Sequence, residues 1–206
     1  MGETLNVKKR NGRGNEPLNI QKIHDMMEYA CEDISGVSAS QVEMNSGLQF
    51  YDGITTDEIQ QILIKSASDL ISLDTPNYTF VAARLLLYSL RKKLFGKLWD
   101  HPHFYDQVKS CVDAGVYDSE IFDNYERKDF DRMEGWLNHN RDYDFTYAGL
   151  RQVIDKYLVQ DRSTDQIFET PQYMYMMIAA TLFAKYPKSK RMSYVKKYYD
   201  ATSTFK

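Results

Sequence analysis

Helical spacing of apolar residues, interrupted by short polar breaks, dominates the first half of the chain. From Gln21 to Ile34, the positions Ile23, Met26, Met27, Ala30 and Ile34 recur at the intervals of one helix face. Ser38 to Phe50 carries a weaker version of the same pattern. Thr55-Thr56-Asp57-Glu58 then sets Thr55 three residues before Glu58, the pattern of a capping box, and Ile59, Ile62, Leu63, Ala67, Leu70 and Ile71 trace the face that follows. Thr75-Pro76 offers an N-cap with proline at the first helical position. The apolar run beyond it, through Leu90 and Phe95, stops at Gly96, a fitting C-terminal glycine. Ahead of these helices the spacing differs. Leu5 to Arg10 reads as extended, Asn11 to Asn15 as a turn containing Gly12 and Gly14, and Pro17 to Ile20 as a returning strand. The expectation for residues 1–95 is a β-hairpin on four helices.

The stretch from Trp99 to Phe104, with Pro102 inside it, breaks the pattern and marks a boundary. Beyond it, helices are expected over Tyr105–Val112, Ser119–Tyr125, Lys128–Leu137, Thr146–Tyr157, Gln172–Tyr186 and Arg191–Tyr199. Tyr157–Val159 and Ile167–Glu169 suggest two strands joined by the polar loop Asp161–Asp165. The fold class is therefore mainly α: a hairpin lid on a four-helix bundle, then a helical region over 96–206 with one small β-hairpin.

A chain of 206 residues with 43% hydrophobic and 14% aromatic content can bury a real core, which argues against disorder. Its net charge of -3 supplies no global positive field for nucleic acid or an anionic membrane, so neither is an expected partner. The longest nearly apolar run, Met174 to Ala184, falls well short of the roughly 20 residues that cross a bilayer and reads as a buried helix. No apolar run follows the basic residues near the start, so no signal peptide is expected and the protein should stay in the cytoplasm, or in a host's cytoplasm. Cys31 and Cys111 are far apart with no C-x-x-C, a poor basis for a zinc ribbon or redox motif, and both read as core thiols. His101 and His103 form a weak H-x-H signal for a metal. Tyr117–Asp144 is acid-rich and Ala184–Lys206 base-rich, which suits either solvated faces or surfaces toward other chains.

The distinctive chemistry lies in the hairpin. Lys8, Lys9 and Arg10 end its first strand, Arg13 lies in the turn and Lys22 follows the return strand. Such cations form charge-assisted hydrogen bonds with phosphate, and glycines let the backbone approach closely. A soluble sheet edge can have the same composition.

The ordered string Val7-Lys8-Lys9-Arg10-Asn11-Gly12, Glu16-Pro17-Leu18-Asn19 and Lys22-Ile23 resembles the ATP-cone, in which a hairpin lid covers a helical bundle and a nucleotide binds as an allosteric effector. The resemblance continues through Val42, Gln49-Phe50-Tyr51-Asp52-Gly53-Ile54, Ser68-Asp69-Leu70-Ile71, Ala82-Ala83-Arg84-Leu85 and Leu90-Arg91-Lys92-Lys93. Lys156 to Gln160, the Gln172–Phe183 segment and Tyr194 to Lys206 are similar to the helical region that follows the cone in large subunits of class I ribonucleotide reductase. The resemblance covers essentially the whole chain. It implies ATP or dATP as effector, with magnesium, held by Lys9, Arg10, Glu16, Pro17, Leu18, Asn19, Ile20, Gln21, Lys22, Ile23, Thr56 and Lys92, with Gln60 close by. Lys9 and Lys92 would neutralise phosphate, Glu16 and Asn19 would meet the adenine edge, and Ile23 would pack on the base. Ile23 as plain core, Thr56 as a helix-start residue and Lys92 as a solvated side chain are the alternatives.

Two features depart from family members that switch off with dATP. The turn Gly12-Arg13-Gly14-Asn15 is one residue longer, and Gln60 stands where a histidine is common. Discrimination between ATP and dATP needs contacts whose energy differs between two protein states, so these departures bear on inhibition more than on binding. In the family, the catalytic barrel, the redox and thiyl-radical cysteines and the radical-transfer tyrosines follow the segment seen here. The resemblance thus implies catalysis only in an assembly: a complementary chain with the barrel, a radical-generating small subunit, and thioredoxin or glutaredoxin. A piece of a longer chain and a phage-type split subunit both fit. Tyr194, Lys197, Tyr198 and Tyr199 are candidates for the shared surface. The other reading is a stand-alone nucleotide-sensing regulator or scaffold, though the zinc ribbon of a cone-bearing repressor has no counterpart here.

Overall fold

The computed structural model describes residues 5–9, 14–47 and 49–205. They form two compact units, one running to Ser89 with Phe145–Arg151 added, the other made of Leu90–Asp144 and the chain from Gln152 onward.

In the first unit, β1 (Asn6–Lys8) pairs antiparallel with β2 (Asn15–Pro17), Val7 facing Glu16. A third strand, β3 (Ile54–Thr55), adds to the other edge of β1 in parallel, Val7 opposite Ile54 and Lys8 opposite Thr55. The return strand forms earlier than the Pro17–Ile20 expectation because Asn19 is committed to helix α1 (Ile20–Cys31). Its side-chain oxygen accepts from the Lys22 amide at 3.1 Å, so the chain must already have turned. Three further helices complete the bundle, α2 (Ala39–Gly47), α3 (Thr56–Asp69) and the first part of α4 (Tyr78–Phe95). The expected capping box is present at α3. Thr55 Oγ1 accepts from the Glu58 amide at 3.1 Å while Glu58 accepts from the Thr55 amide at 2.8 Å.

Helix α4 starts later than Thr75-Pro76 suggested. Thr75 donates its hydroxyl to the Leu70 carbonyl at 2.7 Å, closing the end of α3 instead of opening α4, and a turn through Pro76 and Asn77 intervenes. Met27, Ala30, Val42, Ile54, Leu63 and Leu85 are fully buried, and the sheet residue Val7 is buried as well. Gly96, at φ +72°, follows α4 as expected, its amide reaching the Lys92 carbonyl.

The second unit continues with α5 (Phe104–Asp113), α6 (Glu120–Asn124) and α7 (Arg127–Glu134), then a 3-10 segment His139–Asp144. Helix α8 (Tyr147–Lys156) contributes its C-terminal part, ahead of α9 (Pro171–Phe183) and α10 (Lys188–Ser203). A short hairpin of β4 (Gln160–Asp161) and β5 (Gln166–Ile167) stands where a strand pair was expected, displaced into the Asp161–Asp165 loop. Phe104, Phe130, Tyr173, Met176, Val195 and Tyr199 anchor the core.

A chain of polar groups threads this core. Arg91 donates to the His139 carbonyl at 2.8 Å and to Asp142 at 3.2 Å; Gln172 donates to Asp142 at 2.8 Å, and Tyr199 donates to Gln172 at 2.7 Å. The Arg91 and Asp142 side chains are 1% and 0% exposed. Such a pair survives burial because hydrogen bonds satisfy most of its polar atoms. Tyr199, named above as a surface candidate, is fully buried by this role, whereas Tyr194 remains exposed.

Candidate functional site

Where the hairpin meets the start of α1, an open pocket of about 490 Å³ is lined by Glu16, Pro17, Leu18, Asn19, Ile20 and Lys22. Its position follows from local sequence. Pro17 and Leu18 end the strand, Asn19 caps α1, and the first helical amides present the positive end of the helix dipole beside the pocket. Asn19 spends its oxygen on the cap, so its NH2 is the group it can offer a ligand. Ile20 and Lys22 are exposed, as is Gln21, whose amide donates to Asp25 at 2.8 Å.

Lys9 forms an ion pair with Glu16 across the strands, and its ammonium holds the Glu16 carboxyl below the usual carboxylate range. The cation expected to take phosphate is thus engaged by the carboxylate expected to read a base. Both side chains are part-exposed, at 33% and 43%, so water and screening keep the pair weak and exchangeable. Arg10 and the rest of the turn, residues 10–13, lie outside the described residues.

The base of the hairpin is tied down by residues that spacing alone did not single out. Asp52 accepts from the Asn6 amide at 2.8 Å and from its side chain at 3.0 Å, and these bonds hold the Asp52 carboxyl low. Gly53 donates to the Asn6 carbonyl at 2.8 Å from a φ of +81°, a conformation that favours glycine. Glu58 also accepts from Tyr51 at 2.8 Å. The legible signal was the run Tyr51-Asp52-Gly53-Ile54 directly before the capping box. This clamp sets Thr56, half-buried at the first turn of α3, next to the residue paired with Lys8.

Other expected contacts are placed differently. Ile23 is 8% exposed, a wall of the core. Gln60 is 3% exposed and donates to the Leu85 carbonyl at 3.1 Å, joining α3 to α4. Lys92 is half-buried on the last turn of α4, within the second unit.

Residues 5–93 match the ATP cone domain, and residues 143–206 match the all-alpha domain of ribonucleotide reductase. Over all 206 residues the chain is 48% identical to the ribonucleoside-diphosphate reductase subunit alpha of Haemophilus influenzae, and 45% identical to subunit alpha of reductase 1 from Escherichia coli. It is also 38% identical, over 204 residues, to the alpha subunit of Enterobacteria phage T4. The chain is an ATP cone followed by a ribonucleotide reductase all-alpha segment. It covers 27%, 27% and 26% of the length of these three relatives, corresponding to their amino-terminal part. The ATP-cone match contains the hairpin, its pocket and Lys92, and the all-alpha match contains α8 to α10.

Both cysteines are free thiols. Burial pushes Cys31 up to about 11 and Cys111 up to about 12, away from the thiolate that nucleophilic or redox chemistry requires. His101 stacks on His139 with centroids 3.8 Å apart, while the His103 ring accepts from the Tyr105 amide at 3.2 Å to cap α5. The H-x-H pair therefore does not converge on one point. Among the described residues, no group of three or more His, Cys, Asp or Glu could hold a metal ion, and no helix is long and apolar enough to cross a membrane.

Proposed function

We propose that residues 1–95 bind ATP or dATP, as the magnesium complex, as an allosteric effector of a ribonucleoside-diphosphate reductase. On this reading residues 96–206 are the helical layer connecting that sensor to the catalytic machinery. Support comes from one observation above all: within a segment matching the ATP cone, an open pocket lies at a helix N-terminus with Lys9 and Glu16 paired beside it.

Binding would proceed by exchange. Lys9 leaves Glu16 for phosphate, where a charge-assisted bond to a multiply charged anion is the stronger of the two. Glu16 and the Asn19 amide then turn to the base edge, Thr56 and the exposed Lys22 border the ligand, Arg10 adds charge, and Lys92 is the further cation that the resemblance implies. Pro17, Leu18 and Ile20 shape the floor, Gln21 follows them on the first turn of α1, and Ile23 backs it from the core. Gln60 acts one layer below, through its bond to Leu85, so its replacement of histidine bears on coupling rather than on direct contact.

Chemistry belongs to an assembly, in the cytoplasm, in which a polypeptide carrying the barrel joins this segment, a small subunit delivers the radical, and thioredoxin or glutaredoxin restores the reductant. The deoxyribonucleotides formed would serve DNA replication. Titration calorimetry of ATP and dATP into the chain, beside a Lys9→Ala, Lys92→Ala double variant, tests the sensor. Saturable binding weakened at least tenfold in the variant is expected. A folded chain that takes up neither nucleotide would reduce the cone to a scaffold.

A further inference from the structure

A part-enclosed cavity of about 440 Å³ lies wholly within the second unit and shares no residue with the hairpin pocket. Its size falls within the roughly 300–1,000 Å³ typical of small-molecule sites. Three stretches of chain wall it: the last turns of α4 with Leu90, Lys93, Leu94 and Phe95, one face of α5 with Asp106, Gln107 and Ser110, and β5 with its flanks, Asp165 to Phe168. Leu94, Phe95, Ile167 and Phe168 are all half-buried, so each keeps apolar surface that a ligand could cover.

The polar groups here mostly accept. Gln107 is 6% exposed and spends its side-chain NH2 twice, on the Phe168 carbonyl at 2.7 Å and on Cys111 Sγ at 3.3 Å, which leaves Oε1 to accept from a ligand. Asp106 and Asp165 are exposed carboxylates on two different walls. The Arg127 guanidinium stands 3.8 Å from Asp106 and is itself bonded to Asp131 at 3.1 Å, so it neutralises Asp106 weakly. Against these two carboxylates the lining holds one ammonium, the exposed Lys93. Cys111 also lines the cavity, but its buried thiol lacks thiolate character, so the event to expect is binding and not covalent chemistry.

We propose that this cavity binds an aliphatic polyamine, with ammonium groups at Asp106 and Asp165, an N–H on Gln107 Oε1, and the methylene chain over Leu94, Phe95 and Phe168. Two carboxylates on separate walls with apolar surface between them match two cationic groups joined by methylenes, each able to form a charge-assisted hydrogen bond. An anion would meet both carboxylates. A neutral apolar ligand would strip water from Gln107 Oε1 and give it no partner. A magnesium ion needs several oxygen ligands in near-octahedral geometry and gains nothing from the apolar walls. Lys93 opposes the polyamine, which makes its removal a test of sign. The inference is independent of the nucleotide site and of the assembly.

The test titrates spermidine and 1,4-diaminobutane into the 206-residue chain by calorimetry, without ATP, which would itself pair with the amines. Butylamine, magnesium chloride and adenosine monophosphate serve as comparison probes. Four variants are compared, each checked for fold by circular dichroism: Asp106→Asn with Asp165→Asn, Ser110→Trp, which fills the cavity without charge, Lys93→Gln, and Asp113→Asn, an exposed carboxylate of α5 outside the cavity lining. Saturable one-to-one binding of spermidine is expected, stronger than that of butylamine. It should weaken at least tenfold in the double variant and in Ser110→Trp, hold in Asp113→Asn, and tighten in Lys93→Gln by up to about fivefold, the worth of one exposed charge interaction. The proposal is overturned if no amine saturates the wild type, or if the double variant loses no more than Asp113→Asn. Magnesium binding that displaces spermidine, or binding of the monophosphate that Lys93→Gln abolishes, would equally overturn it and assign the cavity to another ion.

Discussion

The hairpin pocket and the core of the second unit contain the same kinds of groups, paired cations and carboxylates with amides around them, in opposite settings. Lys9 and Glu16 are part-exposed, held by one contact and exchangeable. Arg91 and Asp142 are buried to the last percent, and Gln172, Tyr199 and the His139 carbonyl fix them from several sides. Burial turns an ion pair from a reagent into a rivet: the exposed pair can trade partners cheaply, and the buried one cannot lose a member without stranding the other.

The sharpest way to break this contrast is Arg91→Ala. It leaves a buried carboxylate without its cation and should destabilise the protein by roughly 3–5 kcal/mol, read as a lowered urea midpoint. A loss under about 1 kcal/mol would place Arg91 with ordinary surface pairs.

Acid gives a second, smaller difference. Burial pushes His139 down to about 3 and His101 down to about 4, so both bind protons more readily unfolded than folded. Their folded-state preference is complete above the ordinary histidine value and is lost as pH falls from about 6.5 towards those values. Burial raises Asp142 to about 6 and raises Glu169 as well, and both carboxyls work the other way as pH falls. His24 in the first unit has the opposite sign. Its bond to Glu43 raises it, so its small contribution is present in acid and fades as pH rises through the raised value. The histidine contribution is read by difference: between pH 7 and 4.5 the thermal midpoint of His139→Gln should fall less, or rise more, than that of the wild type. An unchanged slope in that variant would remove the stacked histidines from the account.

The smallest effect is expected at the hairpin. Glu16→Gln frees Lys9 while keeping an acceptor for the base, so ATP affinity should hold or tighten by no more than about fivefold, the worth of an exposed pair. A tenfold loss in calorimetry would mean that the carboxylate's charge is itself part of recognition.

Features encoded within a few residues were readable in advance, and those requiring distant partners were not. The capping box at Thr55 and Glu58, the glycine after α4 and the helical period of α1 are local, and all are present. The two-residue strand β3 was invisible because its pairing partner lies far back in the chain. Thr75-Pro76 carried a helix-start pattern that a single side-chain bond to Leu70 diverted. In the pocket, the resemblance pointed to Glu16 to Lys22, but composition could not say that Lys9 would pair with Glu16 or that Gln60 would turn inward to Leu85. Tyr199 was indistinguishable from Tyr194 by type, and only packing separates them.

The parallel pairing of β1 with β3 also fixes an order of events in time. Val7 cannot meet Ile54 until the intervening helices have been synthesised and have collapsed, because closing so long a loop costs entropy that only the assembled bundle repays. The local pairing of β1 with β2 can therefore close before β1 meets β3, and the three-stranded lid is complete only once α1 and α2 have been made.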